Sequence, residues 1–371
     1  MRKGWPAFIL FLALEGVAGP LLYGPWTGAP APDGVTVSWA ALSPAELSYR
    51  PLSTDRERTL WYEGTGIAEV RLEGLAEGTW YEYRLTFPSG EASPVGRFFT
   101  APDPGQPVCF AALSDTQRQW EGPNRVELVA RAIASDPWPF HFLLHAGDLV
   151  ESPTQENWGF FFRSLAPALL RAPLLPVLGN HERGSITYFK HFDLPPGEGK
   201  LGERWWALHF GDVAVVGLDT NVTRPQDYHD QISWLRENLS GPEPHRFVVF
   251  HHPVFSSDAV YGPGSPGLEL LWHPVFVELG VDVVLSGHAH NYERIQRDGV
   301  TYLVVGGGGA SSSRLSPTRV EGSQVAYDDR LFYVAVLATR EGIEVRVVGV
   351  AKVAGDEITL GREVLDAFRL P

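Results

Sequence analysis

From Leu21 to about Pro102 the chain alternates apolar and polar residues in short runs broken by turn residues, at Val35–Trp39, Ala45–Tyr49, Ala68–Leu72, Trp80–Leu85 and Gly96–Thr100. A period of two with frequent turn punctuation predicts strands that each bury one face, and their spacing predicts a small all-β sandwich over residues 21–102. After Pro102-Asp103-Pro104 the pattern changes. Continuous apolar runs at Val108–Leu113, Phe140–Leu144, Leu174–Leu178, Val213–Leu218, Phe247–Phe250, Val281–Leu285 and Val300–Val305 alternate with amphipathic stretches. That alternation predicts a layered α/β domain over residues 106–371. One helix is expected to start at Asp230 as its cap, with Ile232, Leu235 and Leu239 on one face; another is expected from about Leu268 to Leu279, stopped by Gly280.

Composition narrows the classes. With 371 residues, 44% hydrophobic and 20% charged, the chain can bury a large core and is no disordered segment. A formal net charge of −14 argues against a general electrostatic grip on nucleic acid, so an anionic substrate would need a local positive centre. The single cysteine, Cys109, excludes an internal disulfide and a cysteine-based zinc cluster, leaving His and oxygen donors for any metal. Arg2 and Lys3, the apolar run Ala7–Leu14 and the small residues Val17-Ala18-Gly19 have the order of a secretory leader over residues 1–19, so export to the periplasm or the exterior is expected. No segment has the roughly 20 apolar residues of a membrane helix. Nothing in the pattern specifies an oligomeric state.

In open α/β sheets ligands gather beyond the carboxyl ends of strands, so the residues there carry the functional information. Val108–Leu113 runs into Ser114-Asp115-Thr116-Gln117, and Phe140–Leu144 into His145-Ala146-Gly147-Asp148. Leu174–Leu178 runs into Gly179-Asn180-His181-Glu182, Phe247–Phe250 into His251-His252-Pro253, and Val281–Leu285 into Ser286-Gly287-His288-Ala289-His290. Each is weak alone. Together they place oxygen or imidazole donors after five strands, and the 33 residues from Asp115 to Asp148 and 32 from Asp148 to Asn180 match βαβ units that return to one sheet edge.

In these motifs and their order the chain resembles the calcineurin-like metallophosphoesterase superfamily, in particular its purple acid phosphatase branch. Leu75, Gly78, Thr79, Tyr81 and Tyr83 likewise resemble a fibronectin type III module, with Tyr81 as the corner tyrosine. The resemblance implies a layered αββα domain behind that module and two metal ions drawn from Fe, Mn, Zn or Co. It implies that Asp148 bridges them, that Asp115, His290 and Gln117 serve the first, and that Asn180, His251 and His288 serve the second. It further implies a metal-bound hydroxide as nucleophile, with His181 assisting departure of the leaving group from a small-molecule phosphate ester. Two divalent ions among so few carboxylates would leave a small net positive charge, the centre that an acidic protein needs. Where the branch has an iron-binding tyrosine this chain has Glu151, so no purple chromophore is expected; Glu151, Tyr292 and Arg294 are further candidates at the site. His252 is expected to point away from His251 by strand alternation. Phosphate monoesters are the expected substrates, with phosphodiesters and an inactive secreted binding protein as the alternatives.

Overall fold

The computed structural model describes residues 19–118, 122–355 and 357–371. The expected leader falls almost wholly outside them. Among the described residues, no helix is long and apolar enough to cross a membrane.

Seven strands come first: β1 (Leu21–Ala31), β2 (Gly34–Ala41), β3 (Ala45–Pro51), β4 (Arg58–Tyr62), β5 (Gly66–Glu73), β6 (Trp80–Thr86) and β7 (Gly96–Phe99). They form two antiparallel sheets, ordered β1-β2-β5 and β4-β3-β6-β7, whose inner faces meet on Val37, Trp39, Leu47, Leu72, Tyr83 and Phe98. Tyr81 takes the corner position expected of it, its hydroxyl accepting the Ala76 N–H at 2.9 Å. Two of the strands, β1 and β4, escaped the sequence pattern. In β1 two Gly and two Pro interrupt the alternation, and β4 is an exposed edge strand with no buried face to produce one.

The elements that follow are β8 (Val108–Leu113), α1 (Arg125–Ala134), β9 (Phe142–His145), α2 (Gln155–Leu169), β10 (Leu174–Pro176), α3 (Ile186–His191), β11 (Gly197–Glu198), β12 (Trp205–Phe210), β13 (Val213–Gly217), α4 (Pro225–Asn238), β14 (His245–Val249), α5 (Pro266–Leu271), α6 (His273–Glu278) and β15 (Val283–Ser286). Six more strands complete the chain: β16 (Tyr292–Arg297), β17 (Val300–Val305), β18 (Ser323–Tyr327), β19 (Arg330–Thr339), β20 (Gly342–Ala354) and β21 (Glu357–Leu370). They make one sheet ordered β10-β9-β8-β19-β20-β21 and another ordered β11-β12-β13-β14-β15-β17-β16-β18.

Strand alternation builds the layers. Val215, Phe247, Val249, Val283 and Leu285 point inward and meet Phe110 and Phe142 of the first sheet, with Phe110 and Phe247 edge to face at 5.1 Å. Their neighbours Val216, Val248 and Val284 point outward onto Leu235, Leu239, Trp272 and Phe276 of the α4–α6 side. Helices α1 and α2 cover the other sheet through Val129, Ile133, Trp158 and Phe161. The order is helix, sheet, sheet, helix.

Two helix expectations need correction. Asp230 lies inside α4, which starts at Pro225 because proline pre-sets the helical φ and Arg224 pairs with Asp227 of the first turn at 3.0 Å. The helix expected over 268–279 is two short ones, α5 and α6, interrupted at Trp272 ahead of Pro274, which has no N–H to offer the preceding turn. Gly280 ends α6 at φ 62°, as expected.

Candidate metal centre

Strands β8, β9 and β10 run parallel in one sheet, and β14 and β15 run parallel in the other. The residues beyond their carboxyl ends meet across the seam between the sheets. Asp115, Asp148 and Asn180 do return to one sheet edge; the histidines come to them from the second sheet.

Asp148 is the hub, buried at 1% exposure. Its Oδ2 lies 3.2 Å from His251 Nε2 and accepts the Gln117 side-chain N–H at 2.9 Å, while its Oδ1 accepts the His181 backbone N–H at 2.9 Å. Asn180 Oδ1 is 3.0 Å from His251 Nε2 and 3.0 Å from His288 Nδ1. The Asp115 carboxylate accepts the His288 backbone N–H at 3.1 Å and stands 3.5 Å from His290 Nε2. Asp115, Gln117, Asp148, Asn180, His251, His288 and His290 therefore form one continuous cluster.

The loops pay a conformational cost to bring these groups together. Asp115, Asp148 and His288 have φ of 60°, 54° and 68°, in the left-handed region that side chains disfavour, a strain that concentrates at functional sites. Two glycines permit the close approach: a Cβ on Gly179 would fall 2.1 Å from Asp148 Oδ1, and one on Gly287 would fall 2.6 Å from Asp115 Oδ2.

The electrostatics favour a cation. His251 donates Nδ1–H to the Ala146 carbonyl at 2.9 Å, and His290 donates its own to the Ser311 carbonyl at 2.7 Å, which leaves each Nε2 directed at the carboxylates. His251 Nε2 then faces two acceptor oxygens, Asp148 Oδ2 and Asn180 Oδ1, an arrangement satisfied only by a proton or a metal ion among them. Burial works against the charged His251 ring, yet the charges of Asp148 and Asp115 outweigh it and lift the ring to about 9. Burial works against an ionised Asp148 too, and His251 and His181 overcome it to hold the carboxyl well below its usual range. Gln117 Oε1 is buried with no hydrogen-bond partner among the described residues, a further donor atom awaiting a ligand. Donor atoms of Asp115, Asp148 and His251 lie within 4.8 Å of one another. This set of carboxylate, amide and imidazole donors fits a pair of borderline divalent or trivalent ions.

His181 sits at the rim with its side chain 31% exposed. It donates Nδ1–H to the Glu151 carbonyl at 2.8 Å, and its Nε2 lies 3.8 Å from Asp148 Oδ2. Glu151 turns its carboxylate toward His181, 3.7 Å from Nδ1. Tyr292 and Arg294 take the structural alternative: both bond to Asp366 of β21, each at 2.7 Å.

The expectation for His252 is overturned. Its ring is 4.5 Å from that of His288, and donor atoms of His251, His252 and His288 lie within 4.8 Å of one another. Strand β14 ends at Val249, so pleat alternation no longer governs positions 251 and 252. Glu182 is the other residue missed. Fully buried, its carboxylate accepts the N–H groups of Asp148, Leu149, Val150 and Gly179 at 2.7–3.2 Å, tying the loop after β9 to the loop after β10. A carboxylate next to a donor motif was the only signal in the sequence.

Residues 110–292 match the calcineurin-like phosphoesterase family. Purple acid phosphatase 18 of Arabidopsis thaliana is 26% identical over 292 residues, covering 72% of this chain and 64% of that protein. The Fe(3+)-Zn(2+) purple acid phosphatase 12 of the same plant is 24% identical over 305 residues, covering 76% of this chain. The chain thus spans 64% of the length of each of these relatives. Among solved structures, purple acid phosphatase PPD1 from yellow lupin (Lupinus luteus) superposes with a TM-score of 0.77 at 18% identity, over 94% of this chain and 74% of that one. The fold is shared with it.

Proposed function

We propose, from the premise that this chain carries a calcineurin-like metallophosphoesterase domain with purple acid phosphatase homologues, that it hydrolyses small phosphate monoesters with the help of two metal ions. The observation that carries this reading is the convergence of donors from five strand ends into one cluster around Asp148.

In this reading Asp115, Asp148 and His290 hold one ion, with Gln117 Oε1 available to it. Asp148, Asn180, His251 and His288 hold the other. When bound, such a pair supplies positive charge for the phosphoryl oxygens and lowers the pKa of water toward neutrality. The chain's own groups do the rest. Ala146 and Ser311 carbonyls fix the rings of His251 and His290, and Glu182 holds the two loops at a constant separation. His181, anchored through Nδ1 at the rim, keeps Nε2 beside Asp148, from where a protonated ring can hand a proton to the leaving oxygen. Export belongs to the same proposal and rests on the leader-like order of residues 1–19; N-terminal sequencing of the protein recovered from outside the cytoplasm would test it.

One observation favours a second reading, phosphodiester hydrolysis. A cleft of about 830 Å³ opens beside Asn180, between Arg183, Arg204 and Trp205, and has room for a second ester group. Elemental analysis combined with turnover of nitrophenyl phosphate and bis-nitrophenyl phosphate decides. Two metal ions per chain and faster turnover of the monoester are expected. Activity confined to the diester would replace the monoester reading, and a chain with neither metal nor hydrolysis would end both.

A further inference from the structure

A separate cleft, of about 570 Å³, opens where the sandwich meets the layered domain. Leu52, Trp80, Val95 and Arg97 of the sandwich line it together with Leu170 and Arg171 of the layered domain. Its position sets it apart from the metal centre. Pro139, at its margin, precedes β9, and Leu170 and Arg171 precede β10, whereas Asp148 and Asn180 follow the carboxyl ends of those same parallel strands. The cleft therefore lies at the opposite edge of the sheet. The domains are joined beside it. The Arg97 backbone N–H donates to the carbonyl of Leu170, the cap of α2, at 2.8 Å, and Trp80 packs against Phe99 and His141 with ring centres 5.1 and 5.6 Å away.

Two properties of the lining define an occupant. The first is apolar surface left in water: Leu52 and Val95 are 44% and 48% exposed, and Trp80 and Leu170 are only half-buried. The second is positive charge without a counter-ion. Arg171 spends its guanidinium on the carbonyls of Ala134, Asp136 and Trp138. Among the described residues the Arg97 guanidinium has neither a hydrogen-bond nor a carboxylate partner. Arg97 is thus free to pair with an anion from outside, and Arg171 adds positive potential beside it. A wholly apolar ligand would leave Arg97 unanswered, and a polyol would set its hydroxyls against aliphatic and indole carbon. An apolar body carrying one carboxylate meets both demands, because the guanidinium fork matches the two carboxylate oxygens. The volume lies within the range of about 300–1,000 Å³ found for small-molecule pockets, which favour domain junctions.

We propose that this junction cleft is a binding site for an amphipathic carboxylate, an apolar ring system bearing a single anionic group, with Arg97 as its anchor. The site owes nothing to the metal chemistry, so its test is binding alone. The probe is naphthalene-2-carboxylate, with naphthalene-2-carboxamide as its neutral counterpart and acetate as the anion without a body. In isothermal titration of the full-length, metal-loaded protein the carboxylate should bind at least about tenfold more tightly than the amide, the gain expected of a charge-assisted hydrogen bond, and acetate should not displace it. Saturating inorganic phosphate, a ligand for the metal centre, should leave the affinity unchanged. Arg97→Gln should bring the ratio of carboxylate to amide affinity close to one. Val95→Glu, which sets a second carboxylate against the ligand's own, should weaken binding at least about tenfold. Both side chains are exposed, so both variants should fold. Absence of naphthalene-2-carboxylate binding, amide binding of equal strength, displacement by phosphate, or an affinity that either substitution leaves unchanged overturns the site.

Discussion

Asp148 shows how much one side chain is asked to do. It is the only residue proposed to touch both ions, and it also anchors Gln117 and the His181 backbone. Its φ of 54° is one that asparagine tolerates well, so Asp148→Asn changes the charge and leaves the backbone undisturbed. The purified variant should lose both metals together with activity, as read by elemental analysis. Retention of two ions would remove the bridging role. His181→Ala addresses a different atom. It should keep the metal content and slow hydrolysis by about 10²–10⁴, most for esters with poor leaving groups. An unchanged rate would exclude a proton-donor role. The sequence disclosed Asp115, Asp148, Asn180, His251, His288 and His290 because donors directly after apolar runs are informative wherever strands end. It misdirected His252 because alternation was extended past the last strand residue.

At the scale of elements, the βαβ spacing was legible because sequence separation fixes where parallel strands return. The long antiparallel strands β19 to β21 were not, since their partners are set by tertiary packing: β19 inserts beside β8, with Ala335 opposite Ala111. What secures the loops is harder still to read. Glu182 joins two loops through four backbone N–H groups, and Glu182→Gln would turn an amide N–H₂ toward some of those donors. The variant should lose about 1–3 kcal/mol of stability in denaturant titration and retain metal less tightly, because Asp148 and Asn180 would no longer be held in register. Undiminished stability and metal content would show that the strands alone position the loops.

The whole molecule is joined by an aromatic seam. Tyr23 and Trp26 of β1 stack on Phe162 of α2 at 5.2 and 4.0 Å, so the sandwich and the layered domain share one apolar core, a continuity that the proline-rich linker did not foretell. Two histidines are buried in that seam. His191 donates Nδ1–H to the Thr187 carbonyl at 2.6 Å and accepts from the Tyr23 hydroxyl at 3.0 Å, while His141 stacks on Phe99 at 4.5 Å and accepts the Cys109 N–H at 3.2 Å. Both rings are neutral in the fold, since burial lowers each to about 4, and burial lowers His145 beneath the site to about 3. An unfolded chain titrates its histidines near 6.5. Between these values the unfolded state binds protons that the folded state refuses, so stability is full above about pH 6.5 and falls as the pH drops toward 4. Each seam histidine would contribute up to about 3 kcal/mol to that loss. Glu182, lifted by burial to about 8, works the other way, because the fold takes up its proton before the unfolded chain does, so the histidine contribution is read by comparing the protein with a seam variant. Urea titrations of the metal-free protein across this range should show the midpoint falling with pH, and His191→Phe should make the fall shallower. The same pH slope in His191→Phe as in the unmodified protein would mean that the seam opens to admit a charged ring.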